Sequence, residues 1–288
     1  MGINKNNLRF LLLAKKNGTD FSQTAMIGRQ TLNMPENHFL EVMKNESGIK
    51  ITDNELKEIY SHRYAEKLLT LLGAQVINSF DYSDYEKATY THDFNLPIAD
   101  EFKNRYSVVI DGGSLEHIFN FPVAIGNCME MVKLNGHFIG LTPANNNFGH
   151  GFYQFSPELF YRVLSPQNGY KVNSMYYYDN KFSNEWMSIE DPDKVGSRSI
   201  LVNTSPVMIT VLAQKIEVVK LFRATPQQSD YTVAWKEPKQ MKSKGKSILS
   251  KIKNSIPITF KVWFYGKSHS KPNPKFFRKV NMTDLLKK

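Results

Sequence analysis

Glu116 and His117 stand side by side and form the strongest acid–base pair in the sequence. Histidine changes charge near neutral pH, so an imidazole here could take a proton from a hydroxyl group. The competing role is structural, with the pair opening a helix and making internal hydrogen bonds. Just upstream, an apolar run ends at Asp111-Gly112-Gly113. Two glycines let backbone approach a ligand closely, or make a tight strand-to-helix turn with Ser114 as cap. Asp81 and Asp93 also end β-prone runs. An acid placed like Asp81 can accept hydrogen bonds from both hydroxyls of a ribose; it could equally cap the turn from Tyr82 to Glu86. Asp93 could make an Asx-turn ahead of Pro97. Farther along, Asn145, Asn146, Asn147, His150, Tyr153 and Gln154 form a polar, aromatic loop. It suits a sugar or nucleotide acceptor, or a plain capping role.

These residues need elements to position them. Asn7 to Lys16 reads as a helix stopped at Asn17-Gly18. Thr24 to Gly28 is a short apolar strand closed by glycine. Leu56 to Leu72 has helical apolar spacing behind the start signal Thr52-Asp53-Asn54-Glu55. Strand-like runs follow at 74–80, 89–92, 106–110 and 136–141, with a helix from Phe121 to Leu134 between the last two. A helix from Pro157 to Leu164 and strands at 170–178 and 207–216 complete the pattern, and 179–206 is long and polar, a surface insertion. Strands alternating with helices, several of them nearly continuously apolar, predict a mostly parallel sheet covered on both faces. Three strands stop at an aspartate. In such sheets ligands bind beyond the carboxyl ends of the strands, so the aspartates mark the binding edge.

The chain has 288 residues and a formal net charge of +10. The charge is uneven: residues 236–288 hold 15 Lys/Arg against two acids, Glu237 and Asp284, which leaves the rest slightly acidic. A single cysteine, Cys128, excludes an internal disulfide framework or a multi-cysteine metal site. No run approaches the ~20 apolar residues of a membrane span, and no signal peptide is evident, so a cytoplasmic protein is expected. The division read from these patterns is a helical segment at 1–21, an α/β domain at 22–216 and a basic extension at 217–288. Lys242 to Lys253, with Ile248, Leu249 and Ile252 interleaved, suggests an amphipathic helix on an anionic membrane surface, a protein contact, or a solvated linker. Nucleic acid is a weaker alternative.

The run from Tyr106 to Phe119, an apolar strand ending in Asp and followed by Leu115-Glu116-His117, resembles the fourth-strand motif of class I S-adenosylmethionine-dependent methyltransferases. Met131-Val132-Lys133-Leu134-Asn135-Gly136 resembles the lead-in to their fifth strand. More narrowly, Asp81 to Glu86 and Thr142 to Glu158 are similar to a methyltransferase-like group associated with bacterial surface-polysaccharide genes. The resemblance covers roughly residues 22–216. It implies a Rossmann-like, doubly wound, mostly parallel seven-stranded sheet with helices on both faces, here with the basic C-terminal extension added. It implies S-adenosyl-L-methionine as cofactor, bound by Gly28, Arg29, Gln30, Asp81, Tyr82, Asp93, Phe94, Asn95, Asp111 and Gly112. Asp93 would meet the adenine amino group and Phe94 pack the ring. The methyl acceptor, a glycan or other small hydroxyl compound, would contact Asn145, Asn146, His150, Tyr153 and Gln154. Glu116 and His117 would be catalytic. Glu-His at this place supplies metal ligands in some methyltransferases and His150 could complete a set, but nothing in the spacing demands a metal and none is expected. One departure stands out: where the family has a glycine-rich loop, Met26-Ile27-Gly28-Arg29-Gln30-Thr31 keeps a single glycine. Arg29 could hold the cofactor's carboxylate there, or fill a site that no longer binds anything.

Overall fold

The computed structural model describes residues 2–179, 185–236, 267 and 271–287. Nine strands among them form one sheet: β1 (Gln23–Ile27), β2 (Val76–Asp81), β3 (Tyr90–Thr91), β4 (Tyr106–Asp111), β5 (Val132–Pro143), β6 (Tyr170–Asp179), β7 (Glu185–Ile189), β8 (Val207–Lys215) and β9 (Phe277–Asn281). Their order across the sheet is β3-β2-β1-β4-β5-β8-β6-β7-β9. The first five are parallel. From β8 onward every pairing is antiparallel. The order 3-2-1-4-5 is the doubly wound arrangement, with its switch point between β1 and β4.

The expected seven-stranded sheet is therefore corrected to a mixed, nine-stranded one. The two added strands lie at one edge. Edge strands carry charges that discourage further pairing, and Phe277-Arg278-Lys279-Val280-Asn281 reads as basic tail for that reason. In the fold Phe277 is buried and packs edge to face on Tyr177, at 5.2 Å between ring centres. The residues of the expected extension thus divide. Phe277–Asn281 pairs with β7, and the helix after it, Met282–Lys287, packs in the apolar layer on one face of the sheet. Lys242 to Lys253 lies outside the described residues. Likewise the expected insertion at 179–206 contributes β7, whose Trp186 is fully buried.

Two apolar layers cover the sheet. On one side α1 (Lys5–Lys16) is buried along its length from Asn6 to Ala14. Asn4 caps it by accepting from the Asn6 and Asn7 amides. Phe10 of this helix stacks on Trp186, and Met282 and Leu286 join the same cluster. Lys16 donates to the Leu285 and Leu286 carbonyls, so the last helix is tied to the first. Within residues 1–21, α1 therefore packs on one face of the sheet. Each large apolar side chain buried here contributes about 1.5–3 kcal/mol. On the other side Phe121–Met131 and Pro157–Val163 pack over Ala25, Val109 and Phe138.

The helix expected over Leu56 to Leu72 is two helices, Asp53–Ser61 and Glu66–Leu71. The capping box of Thr52 and Glu55 starts the first as the sequence predicts. Between them the chain leaves helical geometry at Arg63, at φ 61°. There the Arg63 carbonyl accepts from Leu32 and the Ala65 amide donates to Gln30. Pairing with the segment after β1 outweighs local helix propensity, and that segment is the one that borders the candidate site.

Candidate functional site

The carboxyl ends of β1, β2 and β4 open into a cavity of about 290 Å³. Its walls include Gly28, Arg29 and Gln30 after β1, Asp81, Tyr82 and Glu86 after β2, and His92, Asp93, Phe94 and Asn95 after β3. Gly113, Ser114, His117 and Ile118 close it from the β4 side. Eight of the ten residues expected at a cofactor thus lie together at the switch point.

Asp111 and Gly112 are the exceptions. The Asp111 carboxylate is fully buried, and its Oδ1 accepts from the amides of Gly113, Ser114 and Leu115 at 3.3, 2.7 and 3.2 Å. It points into the protein to hold the turn that carries Glu116, and Gly113 with Ser114 takes its place at the cavity wall. Ser114 stands at the N-cap position the sequence suggested, but its hydroxyl makes no cap bond and donates instead to the Ile27 carbonyl at 2.7 Å. A side chain on Gly112 would collide with Gln30.

Several wall residues have part of their bonding capacity committed. Arg29 donates to Glu66 at 2.7 Å and to the carbonyls of Glu86 and Lys87, with its guanidinium 4.0 Å above the Tyr64 ring. Its charge is answered by Glu66. Asp93 makes the Asx-turn, accepting from both the amide and the side chain of Asn95 at 2.9 and 2.7 Å. Those hydrogen bonds from Asn95 hold the Asp93 carboxyl below its usual pKa. Asn95 in turn is fixed by Asn120, which donates from both its backbone and its side chain. Phe94 is buried against Phe80 at 6.2 Å. The Asp81 carboxylate accepts the Tyr82 amide at 2.7 Å and is half-buried at the rim. Gln30 is buried, with its amide nitrogen donating to Ile27 at 2.7 Å. Its Oε1 has no hydrogen-bond partner among the described residues.

Beside this cavity lies a second group. Leu115–His117 is a single 3₁₀ turn following β4. It turns Glu116 inward to full burial, and neither carboxylate oxygen has a hydrogen-bond partner among the described residues. Burial, reinforced by the nearby charge of Asp111, pushes the Glu116 carboxyl up to about 9. His117 faces the cavity, and burial together with the neighbouring His150 lowers its imidazole. The loop after β5 brings His150 to the same place. The amides of Phe152 and Tyr153 donate to the Glu116 carbonyl at 2.7 and 3.2 Å, pinning that loop over the turn. Gly151, between His150 and Phe152, has φ 71°, and a Cβ there would stand 2.7 Å from the Glu116 carbonyl oxygen. His150 Nε2 lies 3.5 Å from Glu116 Oε1, and the His117 and His150 rings are 5.0 Å apart.

The other expected acceptor residues are not gathered at the switch point. Asn145 donates to Leu201, and Asn146 to Asn203 and Ser205, so their amides hold the loop to residues 201–205. Gln154 accepts from the Asn147 amide and Tyr153 donates to Phe119. Asn145 and Gln154 border a separate cavity of about 610 Å³, shared with Arg162, Tyr177 and Phe277. The Asn145 side-chain nitrogen and the Gln154 side-chain oxygen each have a partner inside the chain. Sequence reasoning missed His92 and Glu86 on the first cavity. The signal was present, since His92 adjoins Asp93 and Glu86 ends the run that begins at Asp81.

No protein-family model and no curated protein matches the chain. Among solved structures it is similar to the 1,6-didemethyltoxoflavin-N1-methyltransferase of Burkholderia thailandensis, determined with 1,6-didemethyltoxoflavin and S-adenosylhomocysteine bound. The identity is 7% and the TM-score 0.41, over 74% of this chain and 79% of that one. It is also similar to a candidate S-adenosylmethionine-dependent methyltransferase of Listeria monocytogenes, at 15% identity and a TM-score of 0.40, over 73% and 99% of the two chains. A third is the branched-chain polyamine synthase of Thermus thermophilus, in complex with N4-aminopropylspermidine and 5'-methylthioadenosine. There the values are 10% and 0.36, over 78% and 61%. One sheet architecture hosts different chemistries, so the functional reading has to come from the site.

Proposed function

We propose that the chain is an S-adenosylmethionine-dependent methyltransferase acting on a hydroxyl of a glycan or another small acceptor. The observation that carries the reading is the switch-point cavity, where rim acids and an apolar wall stand beside the cluster of Glu116, His117 and His150. The residues fit the cofactor. An ionised carboxylate has about four acceptor sites, so Asp81 retains capacity for two ribose hydroxyls beyond its bond to Tyr82. Asp93 similarly has acceptor capacity for an amino group, and Phe94 offers an apolar wall to a base. Gln30 presents a buried carbonyl lacking a donor among the described residues, the acceptor that an ammonium group would need.

When bound, the cofactor supplies a methyl group on a sulfonium centre, open to in-line displacement by an acceptor oxygen. The chain's own task is then orientation and removal of the acceptor's proton. The cluster at Glu116, His117 and His150 adjoins the cavity through His117 and is where that proton would be handled. Phe119 and Phe152 are largely exposed, with ring centres 5.7 Å apart. Their positions next to Ile118 and Gly151 make them apolar faces for a sugar ring. The surface-polysaccharide setting rests on the resemblance of residues 81–86 and 142–158 alone. We place the protein in the cytoplasm, peripheral to the membrane's inner face through its basic residues. No helix among the described residues is long and apolar enough to cross a membrane.

A second reading, a binding or scaffold protein without catalysis, is favoured by one observation. The Gln30 side chain fills the space beside Gly112, so room that could admit a ligand is used by the protein. Calorimetry of the full chain with S-adenosylhomocysteine separates the two. Saturable binding supports the methyltransferase reading, and no heat and no thermal shift at millimolar ligand overturns it.

A further inference from the structure

We infer that Glu116, His117 and His150 form a binding site for one divalent ion of the zinc type. Each residue offers one ligand atom, and these atoms all lie within 4.8 Å of one another. Atoms bound ~2.0–2.1 Å from a tetrahedral ion stand roughly 3.4 Å apart. The observed 3.5 Å between Glu116 Oε1 and His150 Nε2 already matches that edge.

A second observation independently points to a ligand. Glu116 is fully buried and both of its carboxylate oxygens lack a hydrogen-bond partner among the described residues. Ionising a carboxyl group in that state without a counter-charge would carry a full desolvation penalty. A cation between it and the two imidazoles would remove the penalty. The loop geometry serves the same end. The Glu116 carbonyl accepts two amides from the His150 loop, and Gly151 permits the close approach. His150 therefore reaches an acid 34 positions away in the chain because backbone hydrogen bonds put it there.

Two imidazoles and one carboxylate suit zinc, cobalt(II) or iron(II) better than magnesium or calcium, which prefer oxygen ligands. Three protein ligands leave a coordination position for water or substrate, the pattern of catalytic rather than structural ions. His117 also borders the switch-point cavity, so an ion held by the three residues would adjoin it. Resting on the methyltransferase reading, the ion would bind the acceptor hydroxyl, lower its pKa and let its proton pass to water before the methyl group transfers.

The test uses full-length, tag-free protein stripped with chelator. Equilibrium dialysis against zinc chloride should give one tightly held equivalent per chain. Cobalt(II) should give the visible absorption of a low-symmetry nitrogen–oxygen site. Glu116→Gln and His150→Ala should each weaken zinc binding by about a hundredfold or more and abolish the cobalt spectrum. Circular dichroism confirms that the variants are folded. Absence of zinc binding by the parent protein, or undiminished binding by both folded variants, overturns the site. Titration with S-adenosylhomocysteine, with and without zinc, keeps the two ideas apart. Zinc binding without nucleoside binding retains the ion site and rejects methyl transfer. Nucleoside binding without zinc does the reverse.

Discussion

Replacing Glu116 with glutamine should stabilise the metal-free protein. The Glu116 carboxyl is raised from its usual 4.5 to about 9 by burial and by Asp111. At pH 7 the folded chain therefore keeps a proton that the unfolded chain releases. The difference of roughly 2.5 pH units, at ~1.4 kcal/mol per unit, costs about 3 kcal/mol. Glutamine keeps the shape and removes the proton cost. Its amide still lacks partners, so a net gain of about 1–3 kcal/mol is expected, or roughly 3–10 °C in Tm. The sign follows from linkage. Between about 4.5 and 9 the native state binds more protons than the unfolded state, so wild-type stability falls as pH rises through that window. Below it both states are protonated and the variant loses its advantage. Urea denaturation in chelator at pH 5 and pH 8 measures the difference between the two proteins. A variant less stable than wild type at pH 8, or a gap that does not widen between the two pH values, refutes the reasoning. Stability gained by altering a buried acid is the usual mark of a group kept for function.

Three further outcomes follow from the geometry. Asp81→Asn should weaken S-adenosylhomocysteine binding by about 10–150-fold, the loss of charge-assisted bonds worth about 1.5–3 kcal/mol; an unchanged Kd in calorimetry would remove Asp81 from the cofactor site. Gly151→Ala forces φ 71° on a residue with a side chain and brings its Cβ 2.7 Å from the Glu116 carbonyl oxygen. It should cost about 1–3 kcal/mol and lower zinc affinity at least about tenfold, and dialysis showing parental affinity would contradict the loop's role. Arg9 and Glu46 form a buried pair with contacts of 2.7 and 2.5 Å. Glu46→Ala removes the counter-charge and should cost about 3–5 kcal/mol, and a loss below ~1 kcal/mol in urea denaturation would show that the pair is not the anchor between α1 and its neighbour.

Much of the site was legible because strand ends punctuate the sequence. Asp81, Asp93 and Asp111 each close an apolar or β-prone run, and the doubly wound order brings such ends to one rim. What could not be read was the direction each polar group takes. Asp111 and Asp81 look alike as strand-terminal acids, yet Asp111 accepts three amides inside the protein while Asp81 stays at the rim. Arg29 looks available until Glu66, 37 positions later, takes its charge. The amides of Asn145 and Asn146 look like ligand contacts until residues 201–205 use them.

The sequence by itself determined the alternation of strands and helices, the rim at which they end, and the adjacency of Glu116 to His117. These are local properties, set by side-chain periodicity and by the residues that stop each element. The tertiary structure alone decided that His150 meets Glu116, that Phe277–Asn281 closes the sheet instead of trailing as a tail, and that the helix predicted through Tyr64 breaks to pair with Thr31 and Leu32. The reason is common to all three. A hydrogen bond or buried contact between distant segments contributes as much free energy as a local preference, and its partner cannot be read from neighbouring residues.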